Sequence, residues 1–159
     1  MQTGDTKKPR VNYFDRQKLP TSKAFTDFMQ VWSFAKGDEI RIKLQQYQYR
    51  LFAVTGANSR SPWLAGALTL FSQSGGDLVY IFVRQEERGK GLGKLLLEAI
   101  AQKILEDPNC IDKKLVLEVA HSNVKARGLY ESFGMQQIGM RRRYYRSGED
   151  AIVFEKALD

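Results

Sequence analysis

The sequence predicts a mixed α/β domain: a central β-sheet flanked by helices and closed by a C-terminal β-hairpin. Three observations predict it. Short β-rich runs precede one long amphipathic helical run. The apolar run Leu78-Val79-Tyr80-Ile81-Phe82-Val83 passes through a glycine-rich loop straight into that helix. A second apolar run, Leu115 to Val119, is followed by a short helical segment and two further β-rich runs. The order strands, helix, strand, helix, two strands belongs to layered α/β architectures. A length of 159 residues suits one domain, and that is enough chain to bury a core without covalent staples.

Residues 1–10 read as a flexible basic arm, and the domain as 11–159. Val11 to Phe14 is a candidate first strand. Ser22 to Phe34 and Asp38 to Tyr47 have helical spacing, with Phe25, Phe28, Met29 and Trp32 on the first. Tyr49 to Thr55 reads as a strand closed by Gly56-Ala57-Asn58-Ser59, and Trp63 to Ser72 as a strand closed by Ser74-Gly75-Gly76. Leu78 to Val83 is apolar at nearly every position, which predicts a central strand covered on both faces. Leu92, Leu96, Ile100 and Ile104 form one stripe of a helix from Leu92 to Glu106, and Asp107-Pro108-Asn109 ends it. After the strand Leu115 to Val119, Ser122 or Asn123 caps a helix through Phe133, and Gly134 stops it. Gln136 to Tyr145 and Ala151 to Lys156 form the hairpin, turning at Arg146 to Asp150.

Composition narrows the function. Apolar residues make up 43% and charged residues 27%, as in an ordinary globular protein. No run is long and apolar enough to span a bilayer, and the polar start lacks a signal-peptide core, so a cytoplasmic protein is expected. One cysteine and one histidine cannot supply a structural zinc site, so no metal is expected. The net charge of +7 favours polyanionic partners, such as nucleic acid, ribosomes or a phosphorylated cofactor, or serves solubility alone.

Arg88-Gly89-Lys90-Gly91-Leu92-Gly93 lies between a strand and a helix. Glycines let the backbone approach a ligand, and the following helix offers unpaired N–H groups with partial positive charge. The combination suits phosphate. It is not a P-loop, since no Gly-Lys-Ser/Thr follows, and its glycine spacing departs from the dinucleotide fingerprint. A tight strand-to-helix turn is the alternative.

Glu118 stands inside the apolar run Leu115 to Val119, where a carboxylate is costly unless paired or used. Alternation puts Val116, Glu118 and Ala120 on one face, so Glu118 either faces solvent or works as an acid–base group. Tyr130 shares its helix with Ala126, Leu129 and Phe133, and is a core aromatic on that pattern alone.

The pattern R-x-x-G-x-G after an apolar strand resembles motif A of the GCN5-related N-acetyltransferases, the GNAT superfamily. The segment carried by Leu117, Glu118, Val119, Ser122, Asn123, Ala126, Leu129, Tyr130 and Gly134 is similar to the RimI-type protein N-terminal acetyltransferases of that superfamily. So is the tail with Arg142, Arg143, Tyr144 or Tyr145, Glu149, Asp150 and Ala151. The resemblance covers residues 78–157 and is faint before them. It implies a GNAT fold. It implies that Arg88, Gly89, Lys90, Gly91, Leu92 and Gly93 hold the pyrophosphate of acetyl-CoA. Edge amides of Ile81, Phe82 and Val83 would pair with the pantetheine arm, and Asn123 would bond the pantetheine or nearby backbone. Glu118 would act as base and Tyr130 would protonate the thiolate. Tyr144 or Tyr145 would touch a peptide substrate, with a ribosomal-protein N-terminus as the implied acceptor.

Departures leave the acceptor open. Ser74-Gly75-Gly76-Asp77 stands where RimI-type enzymes often carry an acidic pair, His121 where they usually carry arginine, and Val31 where a proline precedes Trp32-Ser33. Gly128 falls in mid-helix without a functional account. Cys110 sits in a Pro-Asn loop with no histidine beside it, which argues against an acyl-cysteine route. Arg141-Arg142-Arg143-Tyr144-Tyr145 suits a substrate groove, a solvated strand or RNA. Two readings stand beside protein N-terminal acetylation: acetylation of a small amine such as a polyamine or aminoglycoside, and a non-catalytic module that binds RNA or ribosomes.

Overall fold

The computed structural model describes residues 9–15, 42–43, 45–46, 48–56 and 63–159. Among them are seven strands: β1 (Arg10–Phe14), β2 (Tyr49–Thr55), β3 (Trp63–Ser72), β4 (Gly75–Val83), β5 (Lys114–Ala120), β6 (Gln136–Arg141) and β7 (Ala151–Ala157). Two helices interrupt them, α1 (Leu92–Glu106) and α2 (Val124–Ser132). The strands form one mixed sheet in the order β1-β2-β3-β4-β5-β7-β6. Of the two helices expected upstream of β2, only Ile42, Lys43, Gln45 and Gln46 lie among the described residues: Ile42 and Lys43 are helical, but Gln45 and Gln46 close a turn onto them, so the second helix stops short of the expected Tyr47. The rest, with residues 1–8 of the arm, lies outside the described residues.

The chain divides into two compact units, Met1–Leu68 with Ile81–Leu96, and Thr69–Tyr80 with Leu97–Asp159. In the first, Leu51 to Val54 of β2 are buried consecutively, as a strand covered on both faces should be. Tyr13 packs edge-on to Phe52 at 5.3 Å between ring centroids, and Phe14 lies 5.9 Å from Trp63. In the second unit, β5 alternates: Leu115, Leu117 and Val119 are buried, and Val116, Glu118 and Ala120 are half-buried. This is the face assignment that the period of two predicts. Ile100 and Ile104 of α1 are fully buried. A Cβ on Gly76 would sit 2.5 Å from Ile104 Cδ1, so this glycine lets the helix side chain lie close against β4.

Expectations for β4 and for the hairpin need correction. Gly75 and Gly76 belong to β4 and not to the turn before it, which is Gln73–Ser74. Leu78 is buried, but Val79 to Val83 are only half-buried. The reason is the register. β4 pairs in parallel with β5 over Gly76, Asp77 and Leu78 only, so Val79 to Val83 have no ladder partner on β5. The apolar run therefore does not lie in a closed layer. The last correction concerns the hairpin. β6 stops at Arg141, four residues short of Tyr145. Arg143 takes a positive φ of 50°, and its N–H donates to Asp150 Oδ1, so the chain leaves the ladder there.

Candidate active site

The glycine loop follows β4 through a 3-10 turn, Gln85–Glu87. Gly89 and Gly91 hold φ of 78° and 80°, the left-handed region that glycine enters without strain. A Cβ on either would meet nothing within 4 Å, so the loop presents open backbone. Arg88 Nε donates back to Val83 O at 3.1 Å, and Lys90 Nζ pairs with Glu87 at 3.0 Å. The first turn of α1 carries no acidic residue, so its positive end is not neutralised within the helix. Open backbone, exposed Arg88 and Lys90 and this helix end fit a diphosphate. Leu92 and Gly93 are buried where the helix begins. All of these groups lie in the first unit, as do Ile81, Phe82 and Val83.

The acid–base groups lie in the second unit. Glu118 does not simply face water: 26% of its side chain is exposed, and Oε1 lies 3.2 Å from Arg141 Nη2. The register explains the pair. Glu118 faces Val153 on β7, which faces Gly139 on β6, while Ala120, Ala151 and Arg141 form the next row on the same face. Gly139 contributes no side chain, and space around it is open. Arg141 reaches diagonally across β7 over this gap.

Asp77 approaches from the other side. It is the register partner of Val116, two residues before Glu118 on the same face. Asp77 is exposed, yet partial desolvation of its carboxyl, and then the charge of Glu118, raise it above the ordinary range, against the opposing pull of Lys114 and Arg141. Lys114 itself pairs with Glu155 at 3.2 Å. The site thus places two carboxylates on one sheet face with cations on either side.

Tyr130, on α2, is buried, with its ring 6.0 Å from that of Phe154. Burial, then the neighbouring Tyr145, push its phenol up to about 12. Tyr145 is half-buried, and its phenol is raised by burial, then by Tyr144, Glu118 and Glu149. Tyr144 is exposed; its ring lies 5.2 Å from that of Tyr145 and 5.5 Å from Arg141 Cζ. Glu118, Arg141, Tyr144 and Tyr145 are therefore linked in sequence by ionic, cation–π and aromatic contacts. Asn123 holds the N-terminus of α2, its Oδ1 accepting the Ala126 N–H at 3.2 Å. Cys110 is buried, its thiol 3.8 Å from Gly75 O. No group of residues suited to a metal ion occurs among the described residues.

Sequence reasoning missed Asp77 and Arg141 as members of the site. Asp77 has a local signal only in hindsight, as an acid at the start of an apolar strand. Arg141 was hidden in a run of three arginines.

A central parallel pair that stays in register for three residues, β4 running into a glycine loop and helix, and a carboxylate on β5 together define an acyltransferase-type α/β fold. The chain belongs to the acetyltransferase (GNAT) family, whose profile it matches over residues 22–135. It is 39% identical over 79 residues to the [ribosomal protein bS18]-alanine N-acetyltransferase of Salmonella typhimurium, covering 48% of this chain and 51% of that one. It is 38% identical over 55 residues to the spermine/spermidine N(1)-acetyltransferase of Bacillus subtilis, covering 35% of each. The chain spans about half the length of the curated relatives it matches. Among solved structures it superposes on the ribosomal-protein-S18-alanine N-acetyltransferase from Escherichia coli with a TM-score of 0.72 and 25% identity, covering 94% of this chain and 95% of that one. No helix among the described residues is long and apolar enough to cross a membrane.

Proposed function

We propose that the protein transfers an acetyl group from acetyl-CoA to the α-amine of a protein N-terminus, directly, with both substrates bound. Acetyl-CoA, when bound, supplies a thioester carbonyl and a thiolate leaving group. The backbone of Gly89 to Gly93, with Arg88 and Lys90, holds its diphosphate, and the main chain of Ile81 to Val83, past the end of the ladder with β5, receives the pantetheine arm.

The observation that carries the reading is Glu118: a half-buried carboxylate already seated against a cationic nitrogen at 3.2 Å. An acceptor ammonium presents the same unit positive charge as the Arg141 guanidinium and N–H donors of its own. An α-amine titrates near ~8, against ~10.4 for lysine, so less work is needed to make it neutral. Glu118 takes its proton, directly or through a water. Tyr130 serves best as a hydrogen-bond donor to the sulfur. A phenol at about 12 stays protonated throughout the working range, and it is a weaker acid than a thiol near ~8.5. It stabilises developing negative charge there without giving up its proton.

A second reading is acetylation of a small polyamine. The paired carboxylates Asp77 and Glu118 favour it, since two acids on one face suit a polycation, and a spermine/spermidine acetyltransferase is among the relatives. One assay separates the two: thiol release from acetyl-CoA with peptides bearing free or blocked α-amines, set beside spermidine and spermine. Turnover confined to free α-amines supports the N-terminal reading. Turnover of polyamines with none of any peptide replaces it.

A further inference from the structure

The loop joining β6 to β7 sorts its charges. Glu149 Oε1 accepts the Ser122 N–H at 2.7 Å, and Asp150 Oδ1 accepts the Arg143 N–H at 2.7 Å, so both acids are turned onto backbone. Asp150 O also accepts the His121 N–H at 3.0 Å, which fastens the loop to the turn after β5. The arginines do the opposite. Arg142, Arg143 and Arg146 are exposed and make no ion pair among the described residues. Arg141 is paired, but with Glu118, the group to which the acceptor amine would come.

This arrangement has a consequence for substrate choice, resting on the N-terminal acetylation reading above. Seating an ammonium at Glu118 displaces Arg141 and deprives its charge of that carboxylate. An extended chain advances ~3.3–3.6 Å per residue, so the second and third residues of an acceptor lie within about 10 Å of the reacting nitrogen. Arg142 and Arg146 follow Arg141 on the same loop, both exposed. We propose that the loop selects acceptors with a carboxylate side chain at the second or third residue: the amine takes the place of Arg141 at Glu118, and the released guanidinium, with Arg142 and Arg146, takes the carboxylate. Arg143 is the less suited donor, since its φ of 50° fixes the turn.

The test uses the full chain and a set of free-α-amine peptides sharing one first residue. Positions two and three carry Asp or Glu, Asn or Gln, or Lys. The readout is kcat/KM, in the parent and in an Arg142→Gln/Arg146→Gln double variant. The expected result is a preference of about three- to tenfold for acidic over neutral peptides, and more over basic ones. About 0.5 M salt shrinks it, and the double variant compresses it. Acidic and neutral peptides turned over within about twofold of each other, or a preference for lysine, overturns the inference and leaves N-terminal acetylation standing. No turnover of any free-amine peptide removes both. Retained acid preference in the double variant, together with lost binding to a single-stranded RNA, would make the rim a nucleic-acid surface and also overturn the inference.

Discussion

Arg141 Nη2 lies 3.2 Å from Glu118 Oε1, from a strand that is not next to β5 in the sheet. The pair crosses β7 diagonally, from the row of Arg141 to the row of Glu118, where Gly139 on β6 carries no side chain. It makes Glu118 a receptor for positive charge on a face that is otherwise half-buried. Replacing Glu118 with Gln keeps the shape and removes the base. We expect kcat/KM on a free-amine peptide to fall by about a hundredfold or more. The melting temperature should change little, since Arg141 is exposed and a partly solvated pair contributes about 1 kcal/mol or less. Steady-state kinetics beside thermal melts check both; unchanged turnover would remove Glu118 from the chemistry.

Asp77 gives the pH dependence a sign. Its carboxyl is raised by partial desolvation and by Glu118, so the folded protein holds this proton to higher pH than the unfolded chain. The contribution to stability is thus greatest below the unfolded value, and it is lost as pH rises through the folded value. Asp77→Asn should flatten stability across that acidic window. Glu118→Gln should bring the Asp77 titration down, and Arg141→Gln should move it up, because one removes a like charge and the other an opposite charge. Carboxyl carbon NMR reads the shifts directly.

Tyr130 carries a prediction at the alkaline end. Its rise from the ordinary phenol value to about 12 means stability falls between pH ~10 and ~12, by about 2–3 kcal/mol for this one buried group. Tyr130→Phe should abolish that slope. It should also lower kcat by about tenfold to a hundredfold with KM little changed, as removal of a donor to developing charge does. Denaturation midpoints against pH, and steady-state kinetics, test the two halves separately.

The glycine loop and Gly128 make opposite forecasts for one substitution. Gly91→Ala places a side chain at φ of 80°, a strained conformation even where space is open. Calorimetry with acetyl-CoA should show affinity reduced by about tenfold as the backbone shifts. Gly128 sits in α2 with nothing within 4 Å of an added Cβ and an ordinary φ. Gly128→Ala should stabilise by about 0.5–1 kcal/mol, raising the melting temperature by about 2–4 °C. A drop at that position would mean the exposed face of α2 is covered in use.

Asn123 marks where a functional expectation meets a local role. Its side-chain oxygen caps α2, so Asn123→Ala should cost about 1 kcal/mol. If acetyl-CoA affinity also falls while Gly128→Ala restores stability in the double variant, the residue serves the pantetheine arm as well. If affinity is untouched, capping is the whole of its role.

Local chemistry fixed much of this protein before folding. The helical stripe of Leu92, Leu96, Ile100 and Ile104 is written in spacing, and all four side chains are buried. Alternation placed Glu118 on the less buried face of β5, and Gly134 ends the turn after α2 at a φ of 86°. These follow from periods and backbone freedom that a few consecutive residues determine. The partners of Glu118 were not legible in this way. Asp77 lies 41 residues before it, and Arg141 lies 23 after it on a strand beyond β7. Their meeting depends on the register of three strands, on the early end of the β4–β5 ladder and on an absent side chain at Gly139. Register is set by the packing of the whole sheet, and a shift of one residue would send Asp77 or Arg141 to the opposite face. The sequence determined that a carboxylate would stand on this strand; only the tertiary structure decided which charges surround it.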